Sequence, residues 1–579
     1  MKYSSTRRAL GLAVAALAVF AANAVPPAGA ADLPPGTANP MAVAADVPYD
    51  VLVFSKTAGF RHDSIPPGIQ LIRDLGAANS FTVTATEDAN AFTAANLARY
   101  EAVVFLNTTG DVLNATQQSA FESYIRGGGG YAGIHSAADT EHDWPFYGEL
   151  VGAYFASHPA IQQATVRVEN RAHQATQHLA PAWVRTDEWY NYRTNARTSA
   201  RVLATLDEST YSGGSMGADH PHTWCKTIQS GRSFYTGSGH TQSTFAESGF
   251  RAMILGGIRY AANRTKADCR PETGYTTLYD GSTTGWSQAG PGGFANSGGT
   301  LTSSGGMGML WYGAKEFRSY SLKLDWRVAG DDNSGVVLGF PAGSDPATAL
   351  SQGHEVQIDA TDTADRTTGS VYGFKAADLA ARDGALNPPG EWNTYELLVE
   401  GERLQVFLNG VKINDFTNTD PARSLTSGHI GVQNHGTGDE VSFRNIRIKE
   451  LGGTSAGPIT GPGGKCVDVS GGSTVDGTKI QLWTCTNGAN QQWTTNGTTL
   501  RALGKCMTVA GGSTANGAPV QLSTCNGSGA QNWTAGTNGS LVNPQSRKCL
   551  DANGASTANG TQLIIWTCHG GTNQRWTRP

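Results

Sequence analysis

Residues 127–140 read GGGGYAGIHSAADT. A short strand-like run meets a corner of small residues, and helix-compatible residues follow. Such a corner needs small flanks because the chain leaving it passes close to the strand, and Gly133 and Ala137 meet that need. In many α/β enzymes the corner presents a Ser or Cys nucleophile. Here it presents His135. An imidazole in that place serves as a base, an acid or a metal ligand.

Working outward, residues 49–267 alternate strand and helix signals. YDVLVFS and YEAVVFLN read as buried β-branched strands, and ATQQSAFESYIRGGGG as a helix closed by a glycine stop. The pattern predicts an α/β doubly wound parallel sheet, whose loops converge at the C-terminal edge of the strands. Nine of the thirteen histidines lie here. His62 follows the first strand, His135 a middle strand, and His240 the run SFYTGSG; Glu188 in TDEWYNY adds a carboxylate. The four would make a site for a divalent metal, zinc or similar. An organic-ligand pocket without metal, and polar groups that only brace the loops, fit the same residues. His142, His173 and His178 are assigned to the surface.

The stretches VLVFSKTAGFRHDSI, GGGGYAGIHSAADT, TDEWYNY and SGRSFYTGSGHT resemble the ThuA-like (trehalose utilisation) family. The resemblance implies a fold related to the class I glutamine amidotransferases. Those enzymes depend on a cysteine thiolate, so His135 rules out glutamine hydrolysis.

Residues 274–451 form an all-β region of alternating runs broken by Gly, Asn and Asp turns, which predicts a two-sheet sandwich. In HEVQID, alternation puts Glu355, Gln357 and Asp359 on one face and His354, Val356 and Ile358 on the other. GVQNHG presents Gln433 and His435 together in the same way. A polar row is costly inside a core, so that face is expected to line a groove or to lie hydrated outside the sandwich. The series LYDGSTTGW, NSGVVLGF, HEVQID, GEWNTYELLV, LNG, GHIGVQNHG and FRNIRIKEL resembles the 3-keto-disaccharide hydrolase family, which implies a concanavalin-like jelly roll and a substrate oxidised at C3. Glu355 or His435 would then be the base, and Gln357, Gln433 or a bound cation would polarise the ketone.

The last part repeats itself. GKCVDVSGGSTVDGTKIQLWTCTNGANQQW recurs as GKCMTVAGGSTANGAPVQLSTCNGSGAQNW and as RKCLDANGASTANGTQLIIWTCHGGTNQRW. Three copies of short strands with Gly/Asn turns predict a closed three-fold β body over 463–579, after a Gly/Pro/Thr/Ser linker at 452–462. It resembles the ricin-type β-trefoil lectins, whose sugar sites imply roles for Asp468, Gln481, Trp483, Asn490 and Gln491 in the first repeat. The third repeat offers Asp551, Trp566, Asn573 and Gln574 but has Ile564 in place of Gln481. The second has Thr508, Ser523 and Ala530 at the key positions and should be silent.

The N-terminus begins MKYSSTRR, continues with an apolar run, and offers the small-residue cleavage site Ala28–Ala30. That reads as a signal peptide over 1–30 and predicts secretion, with Sec and twin-arginine export both open. A Pro/Ala-rich spacer, 31–48, follows. In an oxidising compartment the six C-terminal cysteines are expected to pair locally, each pair nineteen residues apart: Cys466–Cys485, Cys506–Cys525 and Cys549–Cys568. Cys225 and Cys269 remain and are paired with each other. A net charge of −5 without a basic block argues against nucleic acid, and no later segment is apolar and long enough to span a membrane.

The sequence thus predicts a secreted three-domain protein that cleaves 3-keto glycosides and is tethered to galactose- or xylose-type glycans by its lectin tail. The rival is a multivalent glycan binder without catalysis. Oligomeric state is not addressed by the sequence.

Overall fold

The computed structural model describes residues 46–343, 345–451, 457–496 and 498–578. The expected signal peptide, spacer residues 31–45 and linker residues 452–456 lie outside the described residues.

The first domain is built on eleven strands: β1 (Tyr49–Phe54), β2 (Phe81–Thr86), β3 (Ala102–Leu106), β4 (Gly130–Ile134), β5 (Phe155–Ser157), β6 (Gln162–Val168), β7 (Ala182–Asp187), β8 (Asn191–Tyr192), β9 (Arg201–Asp207), β10 (Pro221–Ile228) and β11 (Gly231–Thr236). Nine of them form one sheet in the order β2-β1-β3-β4-β11-β10-β9-β6-β7. Only β2 through β11 run parallel; the remaining pairs are antiparallel. The parallel sheet expected from the sequence is present in β2-β1-β3-β4-β11, and β10, β9, β6 and β7 extend it with antiparallel pairs that the sequence did not foresee. β10 and β11 are joined by a two-residue turn, too short for a crossover, and so must run antiparallel; the loop from β9 to β10 carries only a 3-10 turn, Glu208–Thr210, and returns antiparallel as well. Helices Ile65–Ala78 and Ser248–Ala261 bury apolar faces against the parallel strands. The helix Ala115–Arg126 starts from an Asn114/Gln117 capping box and stops at Gly127.

The second domain is a sandwich of an eight-stranded and a five-stranded antiparallel sheet, with a core running from Tyr279 to Ile448. The third is the three-fold trefoil. In each repeat a buried Trp donates its indole N–H to a backbone carbonyl: Trp493 to Val467 (2.7 Å), Trp533 to Met507 (3.0 Å) and Trp576 to Leu550 (2.9 Å). These tryptophans are core, and the repeats are closed by the three nineteen-residue disulfides.

The fourth disulfide, Cys225–Cys269, ties the connector between the first two domains to β10. His173 packs beside it, 1% exposed, so its assignment to the surface is wrong: its ring fills a gap against Phe234 and Tyr260. The connector also carries ionic groups shared by both domains. Glu272 pairs with Arg201 of the first (2.8 Å) and with Arg447 and Lys323 of the second, and Asp268 pairs with Lys323 (2.9 Å). These contacts leave from the end of the sheet where the parallel strands begin, as does Arg259, which binds both Asp46 and Glu391.

Candidate functional site

At the corner, β4 ends and His135 adopts φ +49°, the left-handed backbone that a sharp strand exit requires. A 3-10 turn, His135–Asp139, follows. The elbow brings His135 to the C-terminal edge of the parallel strands, where loops after β1, β7 and β11 deliver His62, Glu188 and His240. Ligand-capable atoms of all four lie within 4.8 Å of one another. His135 Nε2 stands 3.2 Å from His240 Nδ1 and 3.4 Å from Glu188 Oε2, and the last two are 3.0 Å apart.

The surroundings orient these groups. His135 donates its Nδ1–H to the carbonyl of Gly237 (2.8 Å), which leaves the Nε2 lone pair aimed at the cluster. The His62 Nδ1 lies 3.3 Å from Ser136 Oγ. Asp187, fully buried, accepts from the backbone N–H of Glu188, Gly239 and His240 and from Arg185, and so holds two of the loops together. Burial, with the charges of His135 and His240, pushes His62 down to about 3. Burial raises Glu188, but hydrogen bonds with His135 and His240 outweigh it and hold the carboxyl at about 2. A neutral-imidazole and carboxylate set is what a divalent first-row cation takes, and edges of 3.0–3.4 Å match the roughly 3.3 Å expected between tetrahedral ligands. The residues fit such an ion. His158, which the sequence did not single out, bonds Glu188 Oε1 at 2.9 Å, and Phe60, 67% exposed, stands against His62 at the mouth.

In the second domain the strand His354–Ile358 buries Val356 and Ile358 in the sandwich core and sends Glu355 and Gln357 to the opposite face. There the register sets Gln357 beside Gly335, with Gln433 on the strand beyond. Glu355 lies over Gly335, which has no side chain to obstruct it. Glu355, Gln357 and Gln433 are 9%, 1% and 4% exposed, so they are not hydrated outer-face residues; they share this face with the apolar residues Met309, Trp311, Val337 and Phe340. The Oε1 atoms of all three accept no hydrogen bond. Unpartnered buried oxygens cost about 1–3 kcal/mol each, which a ligand with hydroxyl donors would recover. Burial pushes Glu355 up to about 7, slightly opposed by His435. His435 is bonded to Asp439 (3.0 Å), which raises it. Asp359 is tied to Asn333 (2.8 Å), and Asn333 accepts from Gln357 (3.3 Å).

In the trefoil, Asp468 accepts from Gln481 (3.0 Å), Asn490 (2.7 Å) and Gln491 (2.9 Å), beside the 40%-exposed Trp483. Asp551 accepts from Asn573 and Gln574 (2.8 Å each), beside the equally exposed Trp566. Gln491 and Gln574 are fully buried and bond the Asp, a carbonyl and an N–H at once, so they brace the carboxylate and do not reach a sugar. The second repeat has Thr508 bonded to Cys506 and carries no carboxylate.

A carboxylate beside an exposed indole, repeated on a trefoil, together with a buried acid among free amide oxygens, defines a carbohydrate-active, glycan-binding protein. Family models divide the chain in the same way. Residues 50–261 match ThuA (trehalose utilisation), 274–449 the 3-keto-alpha-glucoside-1,2-lyase-like domain, and 455–576 the ricin-type beta-trefoil lectin domain. Similar solved structures include a provisionally assigned ThuA-like protein from Bacteroides uniformis (23% identity over 38% of this chain and 94% of that one, TM-score 0.35). Another is a provisionally assigned glycosyl hydrolase from Parabacteroides distasonis (24% identity, 31% and 94%, TM-score 0.28). A third is the C-half of the earthworm R-type lectin in complex with GalNAc (21% identity, 21% and 94%, TM-score 0.19). Among the described residues no helix is long and apolar enough to cross a membrane.

Proposed function

We propose that this is an exported enzyme that cleaves 3-keto glycosides in its second domain while the trefoil holds a galactose- or xylose-type glycan. The observation that carries the reading is Glu355: a buried carboxyl poised near neutrality, lying over a bare glycine and flanked by two amide oxygens without partners.

A ketone at C3 acidifies the C2 proton. The Glu355 carboxylate takes that proton, and the electron pair of the broken C–H bond moves into an enolate on the C3 oxygen. The enolate collapses to a C1–C2 double bond as the C3 carbonyl re-forms and the C1–O bond breaks, and the departing oxygen takes a proton from His435, whose protonated form the Asp439 hydrogen bond favours. Water added across the double bond completes a net hydrolysis. Gln357 and Gln433 accept hydrogen bonds from sugar hydroxyls through their free Oε1 atoms and fix the ring. Such a reaction needs one acid and one base, and not the two facing carboxylates of ordinary glycosidases.

The first domain would act on the same or a related keto sugar. His62, His135, His240 and Glu188 would hold a divalent cation there, which when bound supplies Lewis-acid polarisation of a carbonyl or hydroxyl oxygen. Asp187 and Gly237 keep those side chains in place.

The test is incubation of the full chain with 3-keto-trehalose and 3-keto-lactose, with and without a chelator, followed by assay of released glucose. Release that is lost in Glu355→Gln supports the reading. No release from either sugar, with glycan binding intact, leaves a multivalent binding protein.

A further inference from the structure

We propose that Arg444, Arg327 and Arg171 form a binding site for an oxyanion, a sulfate or carboxylate group either free or carried on an acidic sugar, at the junction of the first two domains.

The eight-stranded sheet of the sandwich turns its outer face toward the first domain, and its charges are unevenly matched. At one end Lys323 and Arg447 meet Asp268 and Glu272 in close ion pairs. At the other, strands Tyr320–Val328 and Val441–Glu450 place Arg327 opposite Ser442, and Arg444 opposite Asp325. Their neighbours Trp326 and Phe443 point into the core, so both arginines stand on the outer face. Arg444 lies 3.7 Å from the Trp392 ring centre and Arg327 4.9 Å from it. Arg171 arrives from the first domain and donates to the carbonyl of Gly298 (3.2 Å).

None of the three forms an ion pair among the described residues, whereas Asp325, the carboxylate nearest to Arg444, bonds Thr394 (3.0 Å) and Asn445 (3.2 Å) and faces Arg447 (3.7 Å). Arg444 is 4% exposed, yet its Nε and Nη2 meet no acceptor; neither does Nε of Arg171. A buried guanidinium without a counter-ion is costly, and its planar fork is shaped for two oxygens of one anion. Burial, with Arg171 and Arg327 adding to it and Asp325 opposing, brings Arg444 down to about 9, far below the usual arginine value. Arg171 and Arg327 are only half-buried and leave an approach from solvent. A cation is repelled here, and a neutral sugar can accept from the donors but leaves the buried charge uncompensated. The site is separate from Glu355 and from the histidine cluster, so it stands whether or not the catalytic reading does.

The test uses the full chain carrying Asp468→Ala and Asp551→Ala, which removes lectin binding from the signal. Sodium sulfate, glucuronate and glucose 6-sulfate are titrated calorimetrically at constant ionic strength, with glucose as the neutral control. Saturable binding of at least one anion is expected, at least tenfold weaker in Arg444→Met and measurably weaker in Arg171→Ala. The second variant changes a half-buried side chain and keeps the test valid if the first does not fold. Equal affinity for inorganic sulfate and the sugar sulfate assigns the site to a free oxyanion; tenfold preference for a sugar acid assigns it to an acidic glycan. Absence of binding by all three anions, or binding unchanged in both variants, overturns the proposal. A selenate-soaked crystal should show its anomalous peak beside Arg444.

Discussion

The Glu355 carboxylate crosses Gly335 on the adjacent strand so closely that a Cβ there would stand 2.1 Å from Oε1. A glycine at this point is a condition for the acid's position. Gly335→Ala is therefore expected to displace Glu355 and to lower kcat on a 3-keto glycoside at least tenfold, about 1.4 kcal/mol of barrier. The far-ultraviolet circular dichroism should be unchanged, because alanine is otherwise tolerated in a strand. Full activity in this variant would detach Glu355 from the chemistry.

The same carboxyl predicts a pH dependence. Burial holds it at about 7, above the roughly 4.3 of an unfolded glutamate. The folded state then binds the proton more tightly than the unfolded one, so Glu355 makes stability fall as pH rises from about 4.3 to about 7. Glu355→Gln should accordingly be more stable than the parent above pH 7, by up to a few kcal/mol, with the difference vanishing below about pH 4. Denaturant unfolding at several pH values measures this. If Glu355 is the base, kcat/KM rises through about pH 7 as its carboxyl ionises.

The histidine cluster predicts bound metal. Protein purified with divalent ions present should retain about one equivalent per chain by mass spectrometry of the elements. His135→Ala or Glu188→Gln should retain markedly less, with a lower melting temperature that chelator reproduces in the parent. A parent free of metal and indifferent to chelator would leave an organic-ligand pocket or a polar brace.

The trefoil predicts two unequal sugar sites. Asp468→Ala and Asp551→Ala should each weaken retention on immobilised galactose, Asp468→Ala the more because its site includes Gln481 where the third repeat has Ile564. The double variant should flow through, since avidity needs both. Thr508→Ala should change nothing. Retention of the double variant would point to a sugar site outside these two repeats.

Much of this was legible in the chain, and the reason differs by domain. The trefoil could be read almost residue by residue, since its partners lie close in sequence and the pattern occurs three times: Asp468 and Gln481 are thirteen positions apart. His62, His135 and His240 could be gathered because a doubly wound topology brings loop ends to one edge. The antiparallel half of the first sheet escaped, as did the burial of His173, because strand direction and packing depend on partners far along the chain.

Local periodicity, repeat spacing and the residue types at loop ends determined the three-domain architecture, the cysteine pairs and the chemistry that could gather at each site. Tertiary structure alone decided that Glu355 sits buried over Gly335, and that Arg171 of the first domain comes near enough to Arg444 of the second for their charges to repel. Such encounters join residues that no sequence period relates. Their energies come from burial and from charges left without partners, and both exist only once distant segments have packed together.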